Sequence, residues 1–180
     1  SLMCLLPRAL EHPDPAQGEL ALVYQPKLHF PTGRIDGAEG LLRWRHPIAG
    51  PLAPDAFIAL AEETGNIRRL TRWVLGAGIE QAGRWQAAGE DVRLSLNVSA
   101  RDLDDIDLPN RVGGLLAQHG VSPSRIVLEI TESAIMGKPE TAISVLRRLG
   151  EQGIELAIGD FGVGQSSFAY LRPMPVGELK

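Results

Sequence analysis

Glu39-Gly40-Leu41-Leu42-Arg43 is the first of several strand-like stretches in which charged or amide side chains stand among apolar ones. Similar stretches follow at 94–99, 127–132 and 157–162. Successive side chains of a strand point to opposite faces, so Glu39, Leu41 and Arg43 are expected to share one face. Oxygen donors at the C-terminal ends of successive strands are how a β/α barrel builds a site for hard divalent cations. The pattern therefore favours a barrel with a site at one end.

The rest of the chain alternates between strand and helix patterns, which is typical of a parallel sheet. Strands are predicted at 20–28, 35–44, 92–98, 126–130, 154–161 and 177–180, with helices beginning near 54, 67, 108, 139 and 166. A full β/α barrel has eight strands and about 250 residues. We expect an α/β fold, a modified TIM-type barrel with about six of its eight strands, over residues 18–180. Residues 1–17 are interpreted as a linker or an expression-derived segment.

The composition narrows the class of protein. The chain has 180 residues, 44% of them hydrophobic, and a net charge of -4, which suits one domain with a real core. This charge gives no general attraction to nucleic acid or to anionic membranes. The single cysteine excludes an internal disulfide and favours a reducing cytoplasm. No apolar run approaches the roughly 20 residues that span a bilayer.

The polar residues of the strand-like stretches suit phosphate chemistry. Glu129 stands between Leu128 and Ile130, where a carboxylate is costly to bury unless it is paired or metal-bound. Carboxylates and an amide oxygen that converge at one mouth suit Mg²⁺ or Mn²⁺, and such ions could activate water against a phosphodiester. The alternative is that these groups form structural ion pairs, for example Glu39 with Arg43 and Glu129 with Arg125.

Two other polar features of the sequence are interpreted as structural and not as metal sites. The carboxylates at 102, 104, 105 and 107 lack the glycine and the terminal glutamate of a calcium loop, which favours a capped, solvated helix start. His46 precedes Pro47, and a role in a turn is expected for it.

Ordered motifs over residues 19–180 resemble the EAL family of cyclic di-GMP phosphodiesterases. The matching motifs are Tyr24-Gln25-Pro26, Glu39-Gly40-Leu41-Leu42-Arg43-Trp44, Ala61-Glu62-Glu63-Thr64-Gly65, Asn97-Val98-Ser99, Leu128-Glu129-Ile130-Thr131-Glu132, Asp160-Phe161-Gly162 and Leu179-Lys180. So many motifs in the right order and spacing are far more specific than one short pattern. Gly40 replaces the alanine of the family's name motif, and we expect little effect because position 40 faces away from Glu39 and Arg43.

The resemblance implies a modified β/α barrel that cleaves cyclic di-GMP to the linear dinucleotide with Mg²⁺ or Mn²⁺. It implies metal ligands at Glu39, Asn97, Glu129 and Asp160. It implies nucleotide contacts at Gln25, Leu41, Arg43 and Asp160. It implies that Glu39, Glu132 and Lys180 serve catalysis, with Glu132 steadying the loop after the fifth strand and Lys180 positioning the attacking water.

Three departures from the family pattern bear on activity. Gly159 stands where the first of two consecutive aspartates is usual, Val163 replaces a threonine, and the family's later strands do not follow Lys180. The loss of a charged ligand lowers metal affinity and leaves bound water less acidic. We therefore expect an impaired domain that binds cyclic di-GMP or regulates a neighbouring signalling domain. An active phosphodiesterase and a protein–protein scaffold remain alternatives. An unpaired sheet edge would favour homo-oligomers.

Overall fold

The protein is described by a computed structural model, which covers residues 19–131, 139–159 and 176–179. Its strands within these ranges form one seven-stranded sheet. The strands are β1 (Glu19–His29), β2 (Arg34–His46), β3 (Gly50–Leu52), β4 (Arg93–Val98), β5 (Ile126–Thr131), β6 (Glu155–Gly159) and β7 (Val176–Leu179). The helices are α1 (Pro54–Glu63), α2 (Ile67–Ala87), α3 (Leu108–His119) and α4 (Pro139–Glu151).

The sheet has the order β1-β2-β4-β5-β6-β7, with β3 beside β2. The pairs from β2 through β7 are parallel, as the alternation of strands and helices predicts. The prediction of a parallel sheet is wrong for β1, which pairs with β2 in the antiparallel sense. The physical reason is the short turn at residues 30–33, because a parallel pair needs a crossover of a dozen or more residues. β3 has three residues and was not predicted.

The helices begin and end where the sequence chemistry predicts. Pro54 occupies the first turn of α1, where its missing N–H costs nothing. Gly120 ends α3 in the left-handed conformation with φ 63°, which a residue with a side chain adopts at a cost. The cluster at 102–107 fits the expected solvated start of a helix only in part, since Asp107 is 60% exposed at the N-cap of α3. Asp107 caps α3 without a side-chain hydrogen bond, and Asp102 is buried at 3% exposure.

The two faces of the sheet differ in chemistry because side chains alternate along each strand. The outer face packs against the helices and forms the main core, with Leu42, Trp44, Leu94, Leu96, Val98, Ile126, Leu128, Ile130, Leu156 and Ile158. The inner face holds Gln25, Lys27, Glu39, Leu41, Arg43, Ser95, Asn97 and Glu129, which alternate with the outer residues or lie in register with one another. The strands thus present a mostly polar surface on the side away from the helices, interrupted by the buried Val127 and Ala157.

Several sequence-based predictions fall on residues outside the described ranges. They are the linker at 1–17, the loop at 162–164 and the helix at 166–171. The predicted strand at 154–161 is observed as Glu155–Gly159. Among the helices in the described part of the chain, none combines the length and the apolar character that a bilayer crossing requires.

Candidate functional site

The predicted site residues of β2, β4 and β5 lie together on the inner face. Glu39 is in register with Ser95, and Asn97 is in register with Glu129. Asn97 Nδ2 donates a hydrogen bond to Glu39 Oε1 at 3.3 Å. The sheet register therefore brings the three predicted metal ligands of the described region to neighbouring positions on adjacent strands.

The predicted nucleotide contacts extend the same surface along β1 and β2. Gln25 is in register with Glu39 and its side chain is exposed. Leu41 is half-buried, and Arg43 is exposed. Arg43 Nη1 donates to the Leu42 carbonyl at 2.9 Å, and the predicted alternative of a Glu39–Arg43 ion pair is not observed. The guanidinium keeps most of its donors for a ligand.

Glu129 is the buried charge of the site, with a side chain that is 7% exposed. Its Oε1 lies 2.5 Å from Lys27 Nζ, and the same ammonium donates to Ser95 Oγ at 2.7 Å. The alternative of a Glu129–Arg125 pair is wrong. Arg125 donates to the Glu90 carbonyl at 2.6 Å and lies 3.7 Å from Asp91.

Sequence reasoning missed Lys27 as a site residue, although a signal for it was present. Lys27 follows Gln25 by two positions, so alternation places both on the inner face of β1. Only the strand pairing identifies its partners, because Ser95 and Glu129 are 68 and 102 residues away in the chain.

A second residue that the sequence analysis misread is Asp102. Its Oδ2 accepts hydrogen bonds from Thr71 Oγ1 at 2.7 Å and from the Ser99 amide at 3.0 Å. Burial raises the pKa of the Asp102 carboxyl above its usual value, and the hydrogen bonds from Thr71 and Ser99 oppose that shift in part. The network ties the segment after Asn97 to α2, so it positions the C-terminal end of β4.

The remaining predicted residues are only partly placed. Gly159 ends β6 in register with Thr131, two positions beyond the Glu129–Ala157 pair. It therefore occupies an inner-face position, where a side chain would stand on the same surface as Glu129. Glu132, Asp160 and Lys180 lie outside the described residues.

The oxygen atoms that the site offers as ligands suit a hard divalent cation only in part. Glu39, Asn97 and Glu129 offer carboxylate and amide oxygens, which Mg²⁺ and Mn²⁺ prefer. Within residues 19–131, 139–159 and 176–179, no group of three or more His, Cys, Asp or Glu residues is suited to a metal ion. The Asn97 amide nitrogen faces Glu39 and the Lys27 ammonium contacts Glu129, so a cation at these oxygens would have to displace both contacts.

Known proteins are similar to this chain in sequence. Cyclic di-GMP phosphodiesterase PA2567 of Pseudomonas aeruginosa is 42% identical over 159 residues, which are 88% of this chain and 27% of that protein. The bifunctional diguanylate cyclase/cyclic di-GMP phosphodiesterase MucR of the same organism is 39% identical over 163 residues, or 90% of this chain and 24% of that protein. The chain thus spans about a quarter of the length of these curated relatives.

A solved structure resembles this chain over nearly its whole length. The solved structure described as the PaMucR phosphodiesterase in complex with c-di-GMP superposes with a TM-score of 0.90 at 37% identity, covering 99% of this chain and 70% of that chain. The fold is therefore the mixed α/β, TIM-like barrel type of that structure. The EAL domain family model matches residues 6–180. This chain belongs to the EAL domain family.

Proposed function

We propose that this EAL domain binds cyclic di-GMP as a regulatory module and hydrolyses it poorly or not at all. The observation that carries the proposal is Gly159, which ends β6 at an inner-face position in register with Thr131. By the family resemblance an aspartate belongs at this position and holds metal. Without it, the divalent cation loses a charged ligand, and its water is less acidic and less nucleophilic.

The proposed binding of cyclic di-GMP rests on residues that match the nucleotide contacts implied by the family resemblance. Gln25 on β1 and Leu41 and Arg43 on β2 lie on the inner face, and Arg43 is exposed. A guanidinium matches two phosphate oxygens at once, so Arg43 would clamp one phosphodiester. The 37%-identical MucR structure is described as a complex with c-di-GMP, which supports cyclic di-GMP as the ligand of this chain as well.

Divalent metal belongs to the proposal as the family's cofactor. Glu39, Asn97 and Glu129 would hold Mg²⁺ or Mn²⁺, which would supply Lewis-acid polarisation of the phosphodiester. Glu132, Asp160 and Lys180 complete the predicted set, with Glu132 steadying a loop and Lys180 positioning water. The retention of Glu39, Asn97 and Glu129, together with 42% identity to a protein named as a phosphodiesterase, favours an active phosphodiesterase as the second candidate.

The cellular setting is also a proposal. The relatives named above are between about three and four times as long as this chain, which favours neighbouring signalling domains as partners within a longer protein. We further propose a cytoplasmic location, no binding of nucleic acid, and self-association through sheet edges.

The proposal is tested by calorimetric titration of cyclic di-GMP into the protein in EDTA and again with Mn²⁺, followed by chromatography of the nucleotide. We expect binding in EDTA and an unchanged cyclic dinucleotide after incubation with Mn²⁺. Conversion to the linear dinucleotide at a typical enzymatic rate would establish the phosphodiesterase instead. No binding in either buffer would leave the scaffold as the function.

The role of Gly159 is tested separately by Gly159→Asp, with Gly159→Asn as the control of equal size and no charge. We expect the aspartate, and not the asparagine, to raise Mn²⁺-dependent hydrolysis, because only the carboxylate adds a charged ligand. Equal activity in the two variants would mean that the site is disabled elsewhere.

A further inference from the structure

Lys27 reaches across two strands of the inner face to hold Glu129. Its Cα is in register with Gly37 on β2. A Cβ added at Gly37 would lie 3.6 Å from Lys27 Cβ and 3.8 Å from Lys27 Cδ. The lysine stem therefore passes over the glycine, and its ammonium then contacts Ser95 on β4 and Glu129 on β5.

The burial of the pair makes the contact energetically significant. The Glu129 side chain is 7% exposed and that of Lys27 is 26% exposed. Removal of one partner from a carboxylate at this depth is destabilising, because part of the compensation of a buried charge is lost. A divalent cation at Glu129 would also neutralise this carboxylate. The ammonium and the metal ion are therefore alternative partners of the same group.

The surroundings offer Lys27 a second position. Lys27 also lines a cavity of about 370 Å³ at the N-terminal ends of β2, β4 and β6. Asp36 and Glu155 line the same cavity, and both lie beside Arg93, at 4.0 and 2.7 Å. An ammonium that leaves Glu129 can therefore move toward other carboxylates in a polar space.

We infer that Lys27 is a positioning residue whose ammonium acts as the resident cation of Glu129 and competes with a divalent metal for that carboxylate. The inference rests on the proposed function, since it takes Glu129 as part of the nucleotide and metal site. In the absence of metal, Lys27 keeps the Glu129 carboxylate neutralised and in place. Metal binding at Glu129 then requires displacement of the ammonium, which lowers the apparent affinity for the metal.

The experiment measures Mn²⁺ binding directly, from the loss of the free Mn²⁺ paramagnetic resonance signal, in the unmodified protein and in Lys27→Met. We expect about tenfold tighter Mn²⁺ binding in the variant, equivalent to about 1.4 kcal/mol. The matched control is Arg84→Met, which makes the same charge change by removing the partner of Glu80 at an exposed i,i+4 pair. We expect Arg84→Met to bind Mn²⁺ like the unmodified protein, because exposed charges are screened.

Two milder variants keep the test informative if Lys27→Met folds poorly. Ser95→Ala removes one of the two contacts that hold the ammonium, and we expect about twofold to threefold tighter Mn²⁺ binding, within the range of a single hydrogen bond. Lys27→Arg retains a cation beside Glu129, and we expect it to bind Mn²⁺ as weakly as the unmodified protein.

A purely structural ion pair gives a different pattern. In that case Lys27→Met and Ser95→Ala lower thermal stability but leave Mn²⁺ affinity unchanged, which overturns the inference. The absence of Mn²⁺ binding in every variant also overturns it. Binding of cyclic di-GMP in EDTA is measured separately, so the proposed function can stand when this inference fails.

Discussion

Along β4 and β5, residues of the hydrophobic core alternate with residues of the candidate site, so the two faces of these strands differ in role. On β4, Leu94 and Leu96 are 0% exposed beneath the helices, whereas Asn97 on the inner face is exposed and bonds to Glu39. On β5, Leu128 is 0% exposed on the outer face, whereas Glu129 on the inner face bonds to Lys27.

The difference follows from the two-residue period of a strand combined with helices on one side. The outer face excludes water and carries the hydrophobic stabilisation. The inner face is polar, and its buried charge is compensated by a partner. Substitutions on the outer face should therefore change the free energy of unfolding, and substitutions of exposed inner-face residues should mainly change binding.

The largest expected effect is that of Leu96→Ala on the outer face. Leu96 is fully buried in the core, and its truncation should cost about 2–5 kcal/mol of unfolding free energy. The inner-face control Leu41→Ala removes a half-buried side chain and should cost less than about 1 kcal/mol while weakening cyclic di-GMP binding. Urea unfolding and nucleotide titration check the pair. Equal destabilisation by the two variants would contradict the division between faces.

The next effect is overpacking around the same leucine. A Cβ at Gly78 in α2 would lie 2.7 Å from Leu96 Cδ1, whereas a Cβ at Gly76 meets nothing within 4 Å. Gly78→Ala should therefore destabilise by about 1–3 kcal/mol, while Gly76→Ala should stabilise by about 1 kcal/mol through helix propensity. Thermal unfolding of the two variants measures the contrast. Stabilisation by both would show that Leu96 moves aside without cost.

Gly40 in β2 also lies close to the side chain of Leu96. A Cβ at Gly40 would lie 2.8 Å from Leu96 Cδ2. The sequence-based expectation that position 40 faces away from Glu39 and Arg43 is confirmed, because Gly40 is buried on the outer face. The replacement of the family's alanine thus concerns the packing of Leu96, which takes the space beside Gly40 and Gly78.

A smaller effect is expected for Arg43→Met on the inner face. The loss of the proposed phosphate clamp should weaken cyclic di-GMP binding about tenfold, or about 1.4 kcal/mol, and change the free energy of unfolding by less than about 0.5 kcal/mol. Arg72→Met, at an exposed position of α2, makes the same change away from the inner face and should leave affinity unaltered. Equal loss of affinity in both variants would indicate a nonspecific charge effect.

The smallest effect is a pH dependence from Asp102, which follows β4 and bonds to Thr71 of α2. Burial raises the pKa of this carboxyl above its usual value of 3.8. A raised pKa in the folded state contributes stability that is fully present below 3.8 and is lost as the pH rises through the raised value. Relative to Asp102→Asn, the unmodified protein should therefore lose stability as the pH increases across that window. Denaturant unfolding at several pH values measures the difference, and a rising difference would contradict the assigned pKa shift.

The positions of most strands and helices were predictable because periodicity and turn residues act locally. The inner-face placement of Glu39, Asn97 and Glu129 followed from alternation, and their proximity followed from parallel pairing. The antiparallel sense of β1 was missed, since the pattern of a strand carries no direction. The burial of Asp102 was also missed, because its partner Thr71 lies 31 residues earlier in the chain.

The sequence by itself determined the EAL family, the alternation of the strands, and the presence of Gly159 where the family pattern leads one to expect an aspartate, because these are properties of residues and their spacing. Only the tertiary structure decided that Glu129 pairs with Lys27 and not with Arg125, that Asn97 bonds to Glu39, and that Leu96 takes the space beside two glycines. Such contacts join residues from different strands and helices. Their formation depends on sheet register and packing, which no local pattern encodes.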